Sequence, residues 1–387
     1  MMPVLSASCG RRTLSRWVRW TLPGLLALTA CEFHLPQPPP DLFQKAFTLE
    51  VGQGPSFLLT GDLDLDGNLD LVACNSKGHS ITLLFGRGDG AFLPPKTLAM
   101  PLEPSHAILK DLNGDALPDL IVNSRGTGSI LVMLSMGKGK FMAPAPMQAG
   151  MVPLAIIADD FNADGKPDLA VTLTFNKVQI LLGRGDGSLK RGDIYQTGSR
   201  SFSGASGDFN QDGHRDLALA VSSSTSNSIR IFSGRGDGTF AMTARVGVGT
   251  VPLALLQADM NGDLVEDLVS TSGKNDNLYA FFGRGDGSFE EPVVFSAGGG
   301  PISLAAADFD GDRRPDLVVA NSRSSSFSLI TRTAEDGFYF PARDYVTGGT
   351  PLAITTGDYN RDGYQDVAVA SNNNGTVEIF LQRRRLK

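Results

Sequence analysis

Seven nonapeptides place side-chain oxygens at positions 1, 3, 5 and 9, a pattern suited to ligating a hard cation. They are DLDLDGNLD (62–70), DLNGDALPD (111–119), DFNADGKPD (160–168), DFNQDGHRD (208–216), DMNGDLVED (259–267), DFDGDRRPD (308–316) and DYNRDGYQD (358–366). The candidate ligands in the first three copies are Asp62, Asp64, Asp66 and Asp70; Asp111, Asn113, Asp115 and Asp119; and Asp160, Asn162, Asp164 and Asp168. Those in the middle two are Asp208, Asn210, Asp212 and Asp216; and Asp259, Asn261, Asp263 and Asp267. The last two offer Asp308, Asp310, Asp312 and Asp316; and Asp358, Asn360, Asp362 and Asp366.

With a backbone carbonyl at position 7, this array suits Ca²⁺ better than Mg²⁺, which prefers a compact octahedron with retained waters. An EF-hand is excluded, because position 12 lacks its glutamate and no helices flank the loop. Glycine at position 6 permits the turn around an ion: Gly67, Gly165, Gly213 and Gly363. The other copies carry Ala116, Leu264 and Arg313 there, with glycine moved to position 4 (Gly114, Gly262, Gly311). These three loops are expected either to be strained and weaker or to turn differently. Twenty-three aspartates crowded into seven loops would oppose folding unless cations neutralise them. Up to seven structural Ca²⁺ are therefore expected.

First aspartates recur at intervals of 48 to 51 residues. A proline stands seven residues before the first aspartate in six copies (Pro55, Pro104, Pro153, Pro252, Pro301, Pro351), and Ser201 replaces it in the fourth. Each unit holds four short β-type runs: an Ala-rich run before the acidic loop, a second after it, a bulkier aromatic third and a mixed fourth. Four strands per unit and seven units predict an all-β, seven-bladed β-propeller with four-stranded blades over residues 43–381. The Ala-rich strand a belongs at the axis, with b, c and d successively outward. The last unit ends in its strand c, near Leu381. Phe43 to Gly52 repeats the nine-residue spacing of a fourth strand, so residues 43–51 should pair beside 376–381 and close the ring without a disulfide.

These nonapeptides, with the turns FGRGDGAF (85–92), SGRGDGTF (233–240) and FGRGDGSF (282–289), resemble FG-GAP and VCBS repeats. Degenerate turns occur at 135–141, 182–189 and 335–340. The family comprises calcium-binding blades such as those of integrin alpha-subunit propellers and bacterial surface proteins. The resemblance implies the fold and the metal; it leaves the function open.

Arg-Gly-Asp occurs at 87–89, 184–186, 235–237 and 284–286, always in the c–d turn with flanking glycines. Tight chain reversal explains it, with the aspartate accepting local backbone hydrogen bonds. No nucleophile elbow is present, and the four histidines (34, 79, 106, 214) are scattered, with His106 expected just before a strand. No enzyme is expected. The b–c and d–a loops share the face opposite the acidic loops, and their variable Ser/Asn/Gly-rich sequences make it the candidate binding face. Lys77, His79, Arg125, Lys274 and Arg323 lie there and suit a polar or anionic partner, a surface protein or a glycan.

At the N-terminus, Arg11, Arg12, Arg16 and Arg19 precede the apolar run 20–30, which reads as a signal peptide over 1–30. Leu28-Thr29-Ala30-Cys31 resembles a bacterial lipobox, making Cys31 the expected lipidation site. A Pro-rich spacer (31–42) and a basic tail (382–387) complete the expected organisation, with Cys74 a small buried hydrophobe. Loss of the four signal arginines takes the formal charge from -7 to -11, which argues against nucleic acid as a partner. The chain is expected to be a monomeric, lipid-anchored binding or scaffold propeller of the bacterial cell envelope, at the outer membrane where one exists. A calcium-dependent lectin is the alternative. Both tryptophans, Trp17 and Trp20, fall in the signal, so repeated Trp platforms for sugars are excluded.

Overall fold

A computed structural model describes residues 41–223, 227–332 and 342–383. The signal, Cys31, the spacer up to residue 40, the turn at 335–340 and the tail from 384 lie outside the described residues. Among those described, no helix is long and apolar enough to cross a membrane.

The described residues form 28 strands in seven four-stranded antiparallel sheets. β1 is Phe43–Glu50. Blade 1 follows as β2 (Pro55–Gly61), β3 (Asp70–Asn75), β4 (Ser80–Leu84) and β5 (Lys96–Ala99). Blade 2 holds β6 (Pro104–Lys110), β7 (Asp119–Ser124), β8 (Ser129–Met133) and β9 (Ala145–Gln148). Blade 3 consists of β10 (Pro153–Asp159), β11 (Asp168–Leu173), β12 (Lys177–Gly183) and β13 (Leu189–Gln196). In blade 4 they are β14 (Arg200–Gly207), β15 (Asp216–Ser222), β16 (Ser228–Gly234) and β17 (Phe240–Gly247). Blade 5 has β18 (Pro252–Ala258), β19 (Asp267–Ser272), β20 (Asn277–Phe281) and β21 (Val293–Ser296). Blade 6 has β22 (Pro301–Ala307), β23 (Asp316–Asn321), β24 (Ser326–Ile330) and β25 (Arg343–Val346). Blade 7 contributes β26 (Pro351–Gly357), β27 (Asp366–Ser371) and β28 (Thr376–Gln382).

The strand order a-b-c-d holds in every blade, and the first strands are neighbours around the axis, β2 lying between β6 and β26. Small side chains suit that convergence: Ala107, Ala155 and Ala353 are buried, and the Thr60 and Thr355 hydroxyls bond across a blade junction at 2.9 Å. Farther out, each of the seven interfaces between blades holds its own apolar cluster, drawn chiefly from the b and c strands of both neighbours. Cys74 lies fully buried in one of them.

Ring closure follows the expected pairing, with β1 antiparallel to β28 and Phe43 opposite Gln382. The strand runs to Gln382, one residue beyond the expected 381, and the Arg383 N–H donates to the Leu42 carbonyl. Phe43 anchors the seam edge-on to Phe309 and Tyr345, ring centres 5.3 Å away in each case. Such a buried aromatic is worth far more than one on the rim. Phe43→Ala should lower unfolding free energy by about 3–5 kcal/mol in chemical denaturation. Phe47, 37% exposed on the same strand, should lose less than about 1 kcal/mol on the same change. Equal losses would show that β1 does not close the ring through Phe43.

Candidate functional site

Each acidic nonapeptide joins strand a to strand b, with its ninth residue opening strand b. That aspartate is fully buried in all seven blades. One oxygen accepts the N–H of loop position 2, as when Asp70 Oδ2 takes Leu63 N–H at 2.8 Å and Asp366 Oδ2 takes Tyr359 N–H at 3.0 Å. The other accepts an N–H at the end of strand c or within two residues of it, from Gly86, Ser135, Gly183, Gly234, Gly283, Arg332 or Gln382, at 2.7–2.8 Å. Position 9 thus ties loop, strand b and the end of strand c together.

The remaining oxygens fold inward through a repeated set of backbone bonds. The position-3 side chain accepts the N–H of position 5, and position 5 accepts that of position 7, in every copy. Position 1 accepts the N–H of position 6, as from Gly67 to Asp62 Oδ2 at 2.9 Å. In the first loop, Asp62 Oδ1 is buried with no hydrogen-bond partner. Carboxylate oxygens of Asp62, Asp64 and Asp70 lie within 4.8 Å of one another, as do those of Asp308, Asp310 and Asp316. These two loops have aspartate at position 3, where Asn113, Asn162, Asn210, Asn261 and Asn360 supply an amide oxygen instead. An all-oxygen donor set with an orphaned carboxylate oxygen fits a hard cation.

The question raised by the displaced glycine has a structural answer. Positions 4 and 6 are both left-handed in all seven loops. Where position 6 is glycine, position 4 is Leu65, Ala163, Gln211 or Arg361, at φ 56–61°. Where position 4 is glycine, position 6 is Ala116, Leu264 or Arg313, at φ 65–68°. Every loop therefore holds one glycine and one residue with a side chain in the left-handed region, so the expectation of three specially strained loops is corrected. The local difference is small: Gly114, Gly262 and Gly311 donate to position 1, whereas Asp164, Asp212 and Asp362 at position 5 do so in three of the others.

The sequence reading missed position 2. Its side chain is buried in every copy (Leu63, Leu112, Phe161, Phe209, Met260, Phe309, Tyr359), and in all but the first copy its carbonyl receives a donor from the following blade. The last glycine of each Arg-Gly-Asp-Gly turn is that donor: Gly90 to Tyr359, Gly187 to Leu112, Gly238 to Phe161 and Gly287 to Phe209, at 2.9–3.1 Å. Blades 2, 6 and 7 lack the motif, and in the last two the side chains of Arg332 and Gln382 reach the carbonyls of Met260 and Phe309 in its place. The aspartates of the motif accept the backbone N–H two residues on, at 2.9–3.0 Å. The four copies form turns that join blades.

All five candidate binding-face residues are exposed, in b–c turns of four blades. His79 Nδ1 accepts the Glu103 N–H at 3.1 Å, and the Glu103 carbonyl accepts the Arg125 N–H, so these two residues flank one d–a turn. Arg323 pairs with Asp276 in the turn that carries Lys274. Lys77 packs beside Gly54. His106 lies within β6, not before it, its ring tilted by 37° against Phe57 with centres 4.2 Å apart, and burial pushes its pKa down to about 4.

Six overlapping matches to the FG-GAP-like repeat cover residues 62–122, 111–171, 160–219, 208–270, 259–319 and 308–369. The chain belongs to the FG-GAP-like repeat family. No curated protein matches it. Among solved structures, it is similar to BBS1N in complex with ARL6DN at TM-score 0.63 and 14% identity, covering 89% of this chain and 98% of that one. Chaetomium thermophilum Raptor matches at TM-score 0.61 and 13% identity over 88% of this chain and 29% of its own. An Agrocybe aegerita lectin specific for non-reducing terminal N-acetylglucosamine matches at 0.54 and 15%, over 84% and 87%. At these identities the likeness concerns the fold.

Two predictions follow from the loop geometry. Gly262→Leu alone puts side chains at both left-handed positions of loop 5 and should cost about 1–2 kcal/mol. Combining it with Leu264→Gly, at a position 86% exposed, restores one glycine per loop and should restore the melting temperature. A double variant no more stable than the single one would contradict the equivalence of positions 4 and 6.

The second concerns pH. Burial, ahead of nearby carboxylates, raises Asp70, Asp316 and Asp366 to about 7 and Asp216 and Asp267 to about 6. Folding without a cation therefore favours the protonated acids. Their contribution is complete below the unfolded pKa of about 4 and is lost as pH rises through the folded values. Chelated protein should melt progressively lower from pH 5 to 8, and calcium should remove or reverse that slope. Identical slopes with and without calcium would contradict the assignment.

Proposed function

We propose that this chain is a lipid-anchored, calcium-stabilised propeller of the bacterial cell envelope, acting by binding or scaffolding and not by catalysis. The observation that carries the reading is the sevenfold oxygen cradle, built into the a–b connection of every blade. Calcium suits its hard oxygen donors and the loop-wide ring they form. Seven such ions would take the charge of the processed chain from -11 to +3. Weak sites are adequate outside the cytosol, where calcium is plentiful.

The anchor rests on the arginine-rich start, the short apolar run and Cys31, followed by the spacer that separates lipid from ring. With the ions on one face, the b–c and d–a turns on the other are left to vary. A surface protein or a glycan is the partner proposed there, reached through Lys77, His79, Arg125, Lys274 and Arg323.

One observation favours the lectin alternative. Phe175 is 74% exposed at the tip of the blade 3 b–c turn, at φ 62°, a conformation costly for a bulky side chain. An exposed aromatic in that place would serve as a stacking platform for a sugar. A glycan array with calcium present tests this reading: a hit lost in Phe175→Ala supports it, and silence removes it. For the anchor, fatty-acid labelling in a bacterial host should vanish in Cys31→Ser, and unchanged labelling would defeat it. Native mass spectrometry of the calcium-replete domain should show up to seven bound ions, whereas an ion-free protein would overturn the metal reading.

A further inference from the structure

Asparagine precedes glycine at positions 3 and 4 of two acidic loops, as Asn113-Gly114 in blade 2 and Asn261-Gly262 in blade 5. A further Asn-Gly pair, Asn374-Gly375, lies in the blade 7 b–c turn. In such a pair the asparagine carboxamide is open to attack by the next backbone nitrogen, because glycine has no Cβ to obstruct the approach. The surroundings of that nitrogen differ between the loops and the turn.

In blade 2 the Gly114 N–H donates to Asp111 Oδ1 at 2.7 Å, which seats a carboxylate on the proton that the attack must remove. The carboxamide is held as well: Asn113 Oδ1 accepts the Asp115 N–H at 3.2 Å, and Nδ2 donates to Asp115 Oδ2 at 3.0 Å. The first of these bonds folds the side chain over the peptide that attacks it. It also gives a donor to the oxygen on which negative charge would collect. Gly114 is exposed at φ 76°, and a Cβ built on it would meet nothing within 4 Å. Blade 5 repeats the arrangement, with the Gly262 N–H to Asp259 Oδ1 at 2.6 Å and the Asp263 N–H to Asn261 Oδ1 at 2.9 Å.

The other loops with asparagine at position 3 separate these elements. Asn162, Asn210 and Asn360 accept the N–H of position 5 in the same way, but Ala163, Gln211 and Arg361 follow them. There, Oδ1 of position 1 takes the N–H of position 5 and not that of position 4. At Asn374 the dipeptide is the same, yet a carbonyl and not a carboxylate holds the nitrogen: the Gly375 N–H donates to the Ser371 carbonyl at 3.1 Å.

We propose that Asn113 is a self-modification site, deamidated by its own loop with Asp111 as the base. Gly114 N attacks Asn113 Cγ as its proton passes to Asp111. The N–Cγ bond forms, the Cγ–Nδ2 bond breaks, and the amide nitrogen leaves as ammonia with that proton. Water then opens the succinimide ring at either carbonyl, to aspartate or to isoaspartate. Aspartate turns DLNGD into DLDGD, the pattern of DFDGD in blade 6, whereas isoaspartate lengthens the backbone and breaks the loop's run of hydrogen bonds. Either product adds a negative charge to the acidic-loop face. The inference does not depend on the anchor, the partner or the metal.

The test is peptide mapping by mass spectrometry on protein held folded in chelator, below its melting temperature, with heavy-oxygen water to mark each converted residue. Asn113 should convert at least about tenfold faster than Asn374, well inside what a positioned base supplies. Asn261 should convert with it, and Asn162, Asn210 and Asn360 should lag far behind. In denaturant, where the dipeptide alone counts, Asn113 and Asn374 should convert at similar rates. Gly114→Ala combined with Ala116→Gly rebuilds the blade 3 pattern at positions 4 and 6, and should slow Asn113 to the rate of Asn162. Asp111→Asn keeps an acceptor oxygen over the Gly114 N–H but removes the base, and should slow Asn113 to the rate of Asn374. Conversion of Asn113 no faster than that of Asn374 in the folded protein would overturn the proposal, as would a rate unchanged in both variants.

Discussion

Burial of one carboxylate per blade is the constraint from which the rest of this ring follows. The position-9 aspartate cannot leave its place, because its two oxygens hold the loop to the end of strand c. Keeping it there draws further aspartates and asparagines into the same small volume, where their backbone bonds turn oxygens towards one another. The fold so imposes an electrostatic problem that a bound cation would solve. The consequences extend beyond the blade: in six of the loops position 2, fixed by the same carboxylate, offers its carbonyl to a turn N–H or a side chain of the next blade. Loop geometry, blade packing and ring closure are linked by hydrogen bonds, which helps explain how short strands with exposed outer edges form one ring.

Much of this was legible in the sequence because it repeats. Seven copies average out local noise, and the alternation of turn residues with β-type runs marks four strands per unit. Closure was readable from a spacing, Phe43 to Gly52, that matched complete units. The inner placement of the Ala-rich strand followed from the crowding of seven chains at an axis.

What stayed hidden depends on direction in space. Spacing alone treats position 9 as one more ligand, whereas burial and two backbone donors make it foremost a brace. The exchange of glycine between positions 4 and 6 looked like a change of turn, since sequence shows where glycine is and not which residues adopt positive φ; Leu65 and Leu264 do so without it. Arg332 and Gln382 replace the Arg-Gly-Asp-Gly turns by reaching the same carbonyls with side chains, and no residue similarity announces that. Repetition reveals the shared framework; departures from it acquire meaning only when equivalent positions are compared in space.

The central claim is that cations hold the buried carboxylates together, and thermal unfolding of the processed domain tests it most directly. Each site filled at about ten times its Kd adds roughly 1.4 kcal/mol, so seven would contribute on the order of 10 kcal/mol, comparable with the stability of a whole domain. Unfolding should be followed in excess calcium, after chelation, and after chelation with magnesium restored. The account predicts a large fall in melting temperature on chelation that calcium reverses and magnesium largely does not. A melting temperature indifferent to chelator would contradict it and reduce the seven loops to acidic turns.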